Sequence, residues 1–237
     1  MKEYVRKLNE RFRRKRRSDD DGLDWTIDWN RQHPNSNPED LIEFWHVDQL
    51  RNITPPSSMN PAGFDEVAFL KRLRHLLNAS SIVEIGCGNG RLASAFPGDT
   101  YLGLDINQEA IRQARIHNPG YRFELTDFCS SYPKADLYIA YTVFLHIDDR
   151  NMMNLSRRLA DACEQLLIVE IMYPSFRNLP SVVPNFARSR ADYERIFAVF
   201  EMDFEIRRPY DHYPGKDISY LMLSNRTRIN NSKQGLR

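Results

Sequence analysis

The chain has 237 residues, 41% of them hydrophobic and 27% charged, which suits one α/β domain with additions. It holds no run of about 18 apolar residues and no apolar signal core near its start, so a membrane-spanning helix and secretion are not expected and the cytoplasm is the expected compartment. Its three cysteines, Cys87, Cys129 and Cys163, are odd in number and widely spaced, which points to neither a disulfide framework nor a zinc site, and no metal is expected.

The net charge of +1 hides an asymmetry. Residues 1–17 hold nine Lys/Arg against Glu3 and Glu10, a balance of +7, leaving 24 basic and 30 acidic residues, −6, in the rest. Within this stretch Met1, Tyr4, Val5, Leu8 and Phe12 recur at three- and four-residue steps, which predicts a basic amphipathic helix broken at Ser18-Asp19-Asp20-Asp21-Gly22. Residues 1–21 are therefore set apart as a basic arm. Three readings stay open for it: a solvated tail, a helix on an anionic membrane surface, or a nucleic-acid contact. Nucleic acid is the less favoured partner, because Tyr4 and Phe12 are the arm's only aromatics for base stacking.

Residues 22–61 form an aromatic extension with all three tryptophans, Trp25, Trp29 and Trp45. Pro38-Glu39-Asp40 after Asn37 reads as a helix start, and the helix is expected over 38–51. From 62 the pattern becomes regular. A helix is expected over 62–78, a strand over 81–85, a helix after the glycine-rich turn, a strand over 101–104 and a helix over 107–116. Strands follow over 122–125 and 135–141, then a helix over 150–164, a strand over 166–171 and a helix over 188–200. Two β-prone runs, 203–208 and 218–224, close the domain, and 227–237 is a polar tail. Alternating strands and helices imply a parallel sheet with right-handed crossovers, and two last strands joined by a loop imply an antiparallel pair.

The densest motif is Glu84-Ile85-Gly86-Cys87-Gly88-Asn89-Gly90-Arg91. A dinucleotide site wants G-x-G-x-x-G so that helix amides receive a pyrophosphate, and here the spacing is G-x-G-x-G. Glu84 would repel a pyrophosphate and suits an ammonium group. Nineteen residues after Gly86, Asp105 ends the apolar run beginning at Tyr101, where a carboxylate takes ribose hydroxyls. The competing reading is a structural turn with no ligand.

At these residues the chain resembles the class I S-adenosylmethionine-dependent methyltransferases, whose first motif looks like E/D-x-G-x-G-x-G; the resemblance covers about residues 62–225. It implies an α/β fold, a doubly wound and mostly parallel seven-stranded sheet with one antiparallel strand near the C-terminus, preceded by an N-terminal helical extension. It also implies S-adenosylmethionine as cofactor. Gly86, Gly88 and Gly90, with Cys87 and Asn89 between them, would lie against its methionine and ribose parts, and Glu84 would orient its ammonium. Asp105 would hold the ribose hydroxyls and Ile106 would face the adenine. Asp127 would accept the adenine amino group beside the Phe128 amide, unless Asp127 only caps its loop. Tyr141 would stand near the methionine. For the extension 22–61 the resemblance suggests a lid over the cofactor, set against simple packing of the tryptophans on the core.

His146 is the leading candidate base, against a structural role beneath the site; Glu170, Tyr173 and His212 are further candidates. The position after the fourth strand reads Ala140-Tyr141-Thr142-Val143 in place of the Asp/Asn-Pro-Pro-Tyr/Phe tetrad of amino-methylating enzymes acting on bases. The expected activity is methyl transfer to a small-molecule or sugar/glycan acceptor, on oxygen. The alternatives are an RNA or protein methyltransferase that uses the basic arm, and a non-catalytic binding partner that keeps the fold.

Overall fold

The computed structural model describes residues 38–46, 64–178, 183–210 and 215–226. The basic arm, Trp25, Trp29, the end of the helix expected over 38–51, His212 and the polar tail lie outside the described residues.

Helix α1 (Pro38–His46) comes first. Helix α2 (Glu66–Leu77) leads into β1 (Ile82–Ile85) and β2 (Tyr101–Asp105), followed by α3 (Gln108–His117) and β3 (Arg122–Leu125). Then come β4 (Ala135–Tyr141), α4 (Asp149–Ala162), β5 (Cys163–Glu170), α5 (Arg190–Ile196), β6 (Phe200–Pro209) and β7 (Asp217–Asn225). The strands form a seven-stranded sheet in the order β3-β2-β1-β4-β5-β7-β6. All neighbours are parallel except β7, which runs against both β5 and β6. This is the expected fold class, with its single antiparallel strand in the expected place.

Strand periodicity builds the two layers, because successive side chains point to opposite faces. Val83, Ile85, Tyr138, Leu166, Ile168 and Leu221 face one core with Leu41 of α1, Leu155 of α4 and Tyr193 of α5. Ile82, Tyr101, Ile139, Leu167, Val169 and Met222 face the other with Leu70 of α2 and Ile111 of α3. The central strands β1, β4 and β5 are buried on both faces, so they read as nearly continuous apolar runs. Asp136 ties the start of β4 to that of β1 by accepting from the amides of Ser80 (2.7 Å) and Ser81 (3.0 Å).

Among the differences from the expected elements, three have a local reason. Helix α2 begins at Glu66, because the Asp65 side chain caps it by accepting the Ala68 amide at 2.8 Å. No α-helix follows the glycine turn. A single 3-10 turn, Ala93–Ala95, stands there, since Pro97 and Gly98 stop helical growth before the chain enters β2. Helix α5 is seven residues long, bounded by a capping box between Ser189 and Asp192 and by Phe200, which already pairs with Asn225 of β7.

Candidate functional site

Strand order turns outward in both directions from β1 and β4, and open sheets bind ligands beyond the carboxyl ends of strands at such a point. A cavity of about 150 Å³ lies there, walled by the glycine turn, the ends of β2 and β4, and Trp45 of α1.

The glycine turn is built for close approach. Gly86, Gly88 and Gly90 have φ of +67°, +54° and +79°, the left-handed region that side chains resist. A Cβ on Gly86 would stand 2.1 Å from Cγ2 of Val143, and one on Gly90 would stand 2.8 Å from Cζ of Phe123. Asp105 ties the turn to β2: its Oδ2 accepts the Gly88 amide at 2.7 Å and its Oδ1 the Asn107 amide at 2.8 Å. Burial raises the Asp105 pKa, and the donated amides oppose that rise. The Ile106 amide also bonds this carboxylate, so three backbone amides hold it in place at the cavity. Beneath the turn Glu84 is buried and accepts from the Tyr101 hydroxyl. Burial pushes its pKa up to about 8, against the opposing pull of Tyr101 and Arg91.

Residues 82–165 match the family model of a methyltransferase domain. A stretch of 62 residues is 39% identical to trans-aconitate 2-methyltransferase of Delftia acidovorans (strain DSM 14801 / SPH-1), covering 24% of this chain and 23% of that protein. The chain is thus matched over under a quarter of that relative's length. Among solved structures, a S-adenosylmethionine-dependent methyltransferase from Clostridium acetobutylicum ATCC 824 superposes with a TM-score of 0.58 at 10% identity, over 80% of this chain and 99% of that one. The magnesium protoporphyrin IX methyltransferase of Synechocystis PCC 6803 with bound SAM superposes with 0.54 at 15% identity, over 86% and 98%. Residues 82–165 are those of a methyltransferase domain.

The domain gathers most of the expected binding residues at the cavity. Glu84, Gly86, Cys87, Gly88, Asn89, Asp105, Ile106, Asp127, Phe128 and Tyr141 all line it, while Gly90 shapes the turn from behind. Asp127 also caps its loop, its Oδ1 accepting from the Cys129 amide at 2.7 Å and the Ser130 hydroxyl at 3.0 Å. The Tyr141 hydroxyl lies 3.5 Å from that of Tyr220, and burial drives its pKa far above the ordinary phenol range.

The candidate bases separate. His146 lines the cavity, its ring 4.7 Å from that of Trp45. Its Nδ1 stands 2.7 Å from the Pro184 carbonyl oxygen, which only accepts, so Nδ1 carries the proton and Nε2 the lone pair. Burial pulls its pKa down to about 4. Glu170 is fully buried behind the cavity wall, accepting the Leu145 amide at 3.2 Å. Tyr173 lines a second cavity, where its hydroxyl accepts the Asp217 amide at 3.2 Å. Neither of these two lines the first cavity.

Several wall residues carried no signal in the motif. Trp45 enters through helix α1, which is docked on the end of β2: His46 Nδ1 lies 3.2 Å from the Ile106 carbonyl and Asn107 donates to the Trp45 carbonyl at 3.0 Å. The Trp45 indole N–H is buried without a hydrogen-bond partner. Thr142, at the end of β4, holds φ of +49°, a strained value for a β-branched residue and a mark of functional strand ends. Arg91 follows the last glycine, and its guanidinium sits 4.6 Å from the centre of the Tyr141 ring.

Proposed function

We propose that the protein binds S-adenosylmethionine in this cavity and transfers its methyl group to a small-molecule or sugar acceptor, on oxygen. The arrangement of Asp105 and Glu84 about the glycine turn carries the reading. Asp105 presents a carboxylate at the end of β2 that suits ribose hydroxyls, and the Glu84 carboxyl beneath Gly86 suits an ammonium. Positive φ at Gly86 and Gly88 lets backbone, with no side chain between, reach the ligand. Asp127 and the buried ring of Phe128 suit an adenine at the rim.

When bound, the cofactor supplies a methyl group on a sulfonium with a good thioether leaving group. The protein's task is then to orient two reactants and exclude water. Trp45, packed on His146 and tied to the end of β2, closes one wall against solvent. The neutral His146 offers Nε2 in the wall as a proton acceptor for an acceptor hydroxyl that loses its proton as the methyl arrives. The relative named for trans-aconitate supports a small-molecule acceptor. The basic residues 1–17 support a location at an anionic membrane surface.

The test is calorimetry with S-adenosylmethionine and S-adenosylhomocysteine, then a labelled-methyl screen over sugars, phenols, carboxylic acids, amines and RNA. Micromolar binding of both nucleosides and label on an oxygen acceptor are expected. Label on RNA alone moves the activity to the arm-guided alternative. Binding with no transfer to any class supports the non-catalytic one.

A further inference from the structure

One donor in the cavity wall is left unmatched. Trp45 lines the cavity, yet its indole N–H is buried and donates to nothing among the described residues. A buried indole N–H ordinarily finds an acceptor. The indole is also held in place. Asn107 donates to the Trp45 carbonyl at 3.0 Å, His46 Nδ1 lies 3.2 Å from the Ile106 carbonyl, and Leu41 of the same helix is fully buried in the core. The Phe44 ring meets the indole edge-on, with 5.1 Å between ring centres. Turning the indole toward another acceptor would disturb these contacts. Beside it stands the opposite kind of group. The His146 ring lies 4.7 Å away, its Nδ1–H donates to the Pro184 carbonyl at 2.7 Å, and its Nε2 offers a lone pair. An unmatched donor and a lone pair thus adjoin in one wall of the cavity. Phe128, Val143 and Ile147, which also line the cavity, bring no competing side-chain hydrogen bond.

We propose that the Trp45 indole N–H donates to the acceptor oxygen that is methylated, while that oxygen's own hydrogen is directed to His146 Nε2, so that the pair admits a neutral hydroxyl and turns away carboxylates and amines. This rests on the methyl-transfer reading above and narrows its acceptor class. The selection follows from counting lone pairs and hydrogens. A hydroxyl oxygen has two lone pairs, one for the indole N–H and one to attack the methyl carbon, and it has a hydrogen for Nε2. A neutral amine has a single lone pair, and a hydrogen bond from Trp45 would occupy the pair that must attack. An ammonium has none. A carboxylate brings no hydrogen and sets its negative charge against the Nε2 lone pair. The transfer balances on these atoms. The oxygen's free lone pair forms the bond to the methyl carbon, and the electron pair of the cofactor's C–S bond stays on sulfur as a neutral thioether. The oxygen's proton passes to Nε2, and His146 then releases it to water. The Trp45 hydrogen bond stabilises the negative charge that grows on oxygen as its proton leaves.

Trp45→Phe keeps a ring against His146 and removes the donor. On the full chain it should bind S-adenosylhomocysteine within about twofold of the unsubstituted protein by calorimetry, while kcat/KM for the hydroxyl compound labelled in the methyl screen falls by about tenfold or more. An unchanged kcat/KM overturns the inference. So does an equal loss of S-adenosylhomocysteine affinity, which would give the N–H to the cofactor. A second measurement reads the N–H itself, and decides if Trp45→Phe does not melt cooperatively. Tryptophan carrying a labelled indole nitrogen is incorporated into the full chain, and Trp25→Phe and Trp29→Phe leave the Trp45 resonance assigned. Its N–H signal should move downfield when the hydroxyl compound joins the S-adenosylhomocysteine complex, and by more than when S-adenosylhomocysteine joins the free protein. The reverse order, or no movement with the hydroxyl compound, overturns the inference. A screen that labels no hydroxyl compound overturns it too, and leaves the cofactor reading standing where S-adenosylhomocysteine binds. If S-adenosylhomocysteine does not bind the unsubstituted protein, that reading and this inference fall together.

Discussion

Glu84 and Glu170 are carried into the interior at the ends of β1 and β5, and burial pushes each carboxyl from 4.5 up to about 8. The sign of the consequence follows from proton binding. Between about pH 4.5 and pH 8 the folded chain keeps protons that the unfolded chain has released, so stability is greatest below that window and is lost as pH rises through it. Glu170→Gln is neutral at every pH and keeps an oxygen for the Leu145 amide. Its melting temperature should fall less than that of the unsubstituted protein from about pH 5.5 to about pH 8.5, with Glu84 leaving a residual slope. Parallel slopes measured by scanning calorimetry would show that Glu170 does not titrate in this window. At this scale the motif was readable because its chemistry is local: Gly86, Gly88 and Asp105 need only a strand end and a turn. Arg91 and Glu66 were not, because their partnership spans 25 positions and the Glu66–Tyr220 bond spans 154. No spacing rule within a helix or strand reaches that far.

The wall of the cavity after β4 is an element held from behind. Thr142 turns the chain through a left-handed conformation, and a 3-10 turn, Phe144–His146, carries His146 to the cavity. Arg188, 2% exposed, donates to the Phe144 carbonyl at 2.8 Å and to the Ile147 carbonyl at 2.6 Å, and its Nε reaches Asp149 at 3.0 Å. The Asp149 carboxylate is half exposed and also pairs with Arg177, so the Arg188 contribution lies in the two carbonyls more than in the ion pair. Arg188→Met keeps much of the volume and strands both carbonyls. It should cost about 2–6 kcal/mol in urea unfolding, the sum expected for two buried acceptors left unpaired. Cofactor affinity should drop as well, because the turn bearing His146 and Ile147 loses its anchor. A variant with unchanged stability would show that water replaces the guanidinium. Element type was legible wherever a strand or helix had a full period to show, as in β4 and α4. The helix expected after the glycine turn failed because Pro97 and Gly98 leave room for one turn only. The 188–200 helix was cut short because Phe200 has more to gain from pairing in β6.

At the scale of the whole molecule, a parallel sheet followed from the alternation of strands and helices and its seven-stranded layout from the resemblance, while the docking of α1 did not follow from either. A nine-residue helix with one Trp gives no sequence sign of which strand end it will cover; His46, Asn107 and His146 decide that through contacts that span 60 to 101 positions. Charge is organised at the same scale, +7 in residues 1–17 and −6 in the rest. With charge so divided, an anionic surface is expected to repel the body and attract the arm. Basic residues at a membrane surface contribute about 1 kcal/mol each, and the attraction fades within a Debye length, about 10 Å at 0.1 M salt. The full chain should therefore partition onto vesicles containing phosphatidylserine, ignore vesicles of phosphatidylcholine, and be released as salt is raised. Deleting residues 1–17 should abolish the partitioning and leave S-adenosylhomocysteine affinity unchanged, since the described lining residues of the cavity begin at Trp45. Sedimentation with the two vesicle types reads the first effect and calorimetry the second. Undiminished sedimentation by the truncated chain would move the attraction to the body. Tighter salt-dependent binding of the arm to RNA than to vesicles would make nucleic acid its partner.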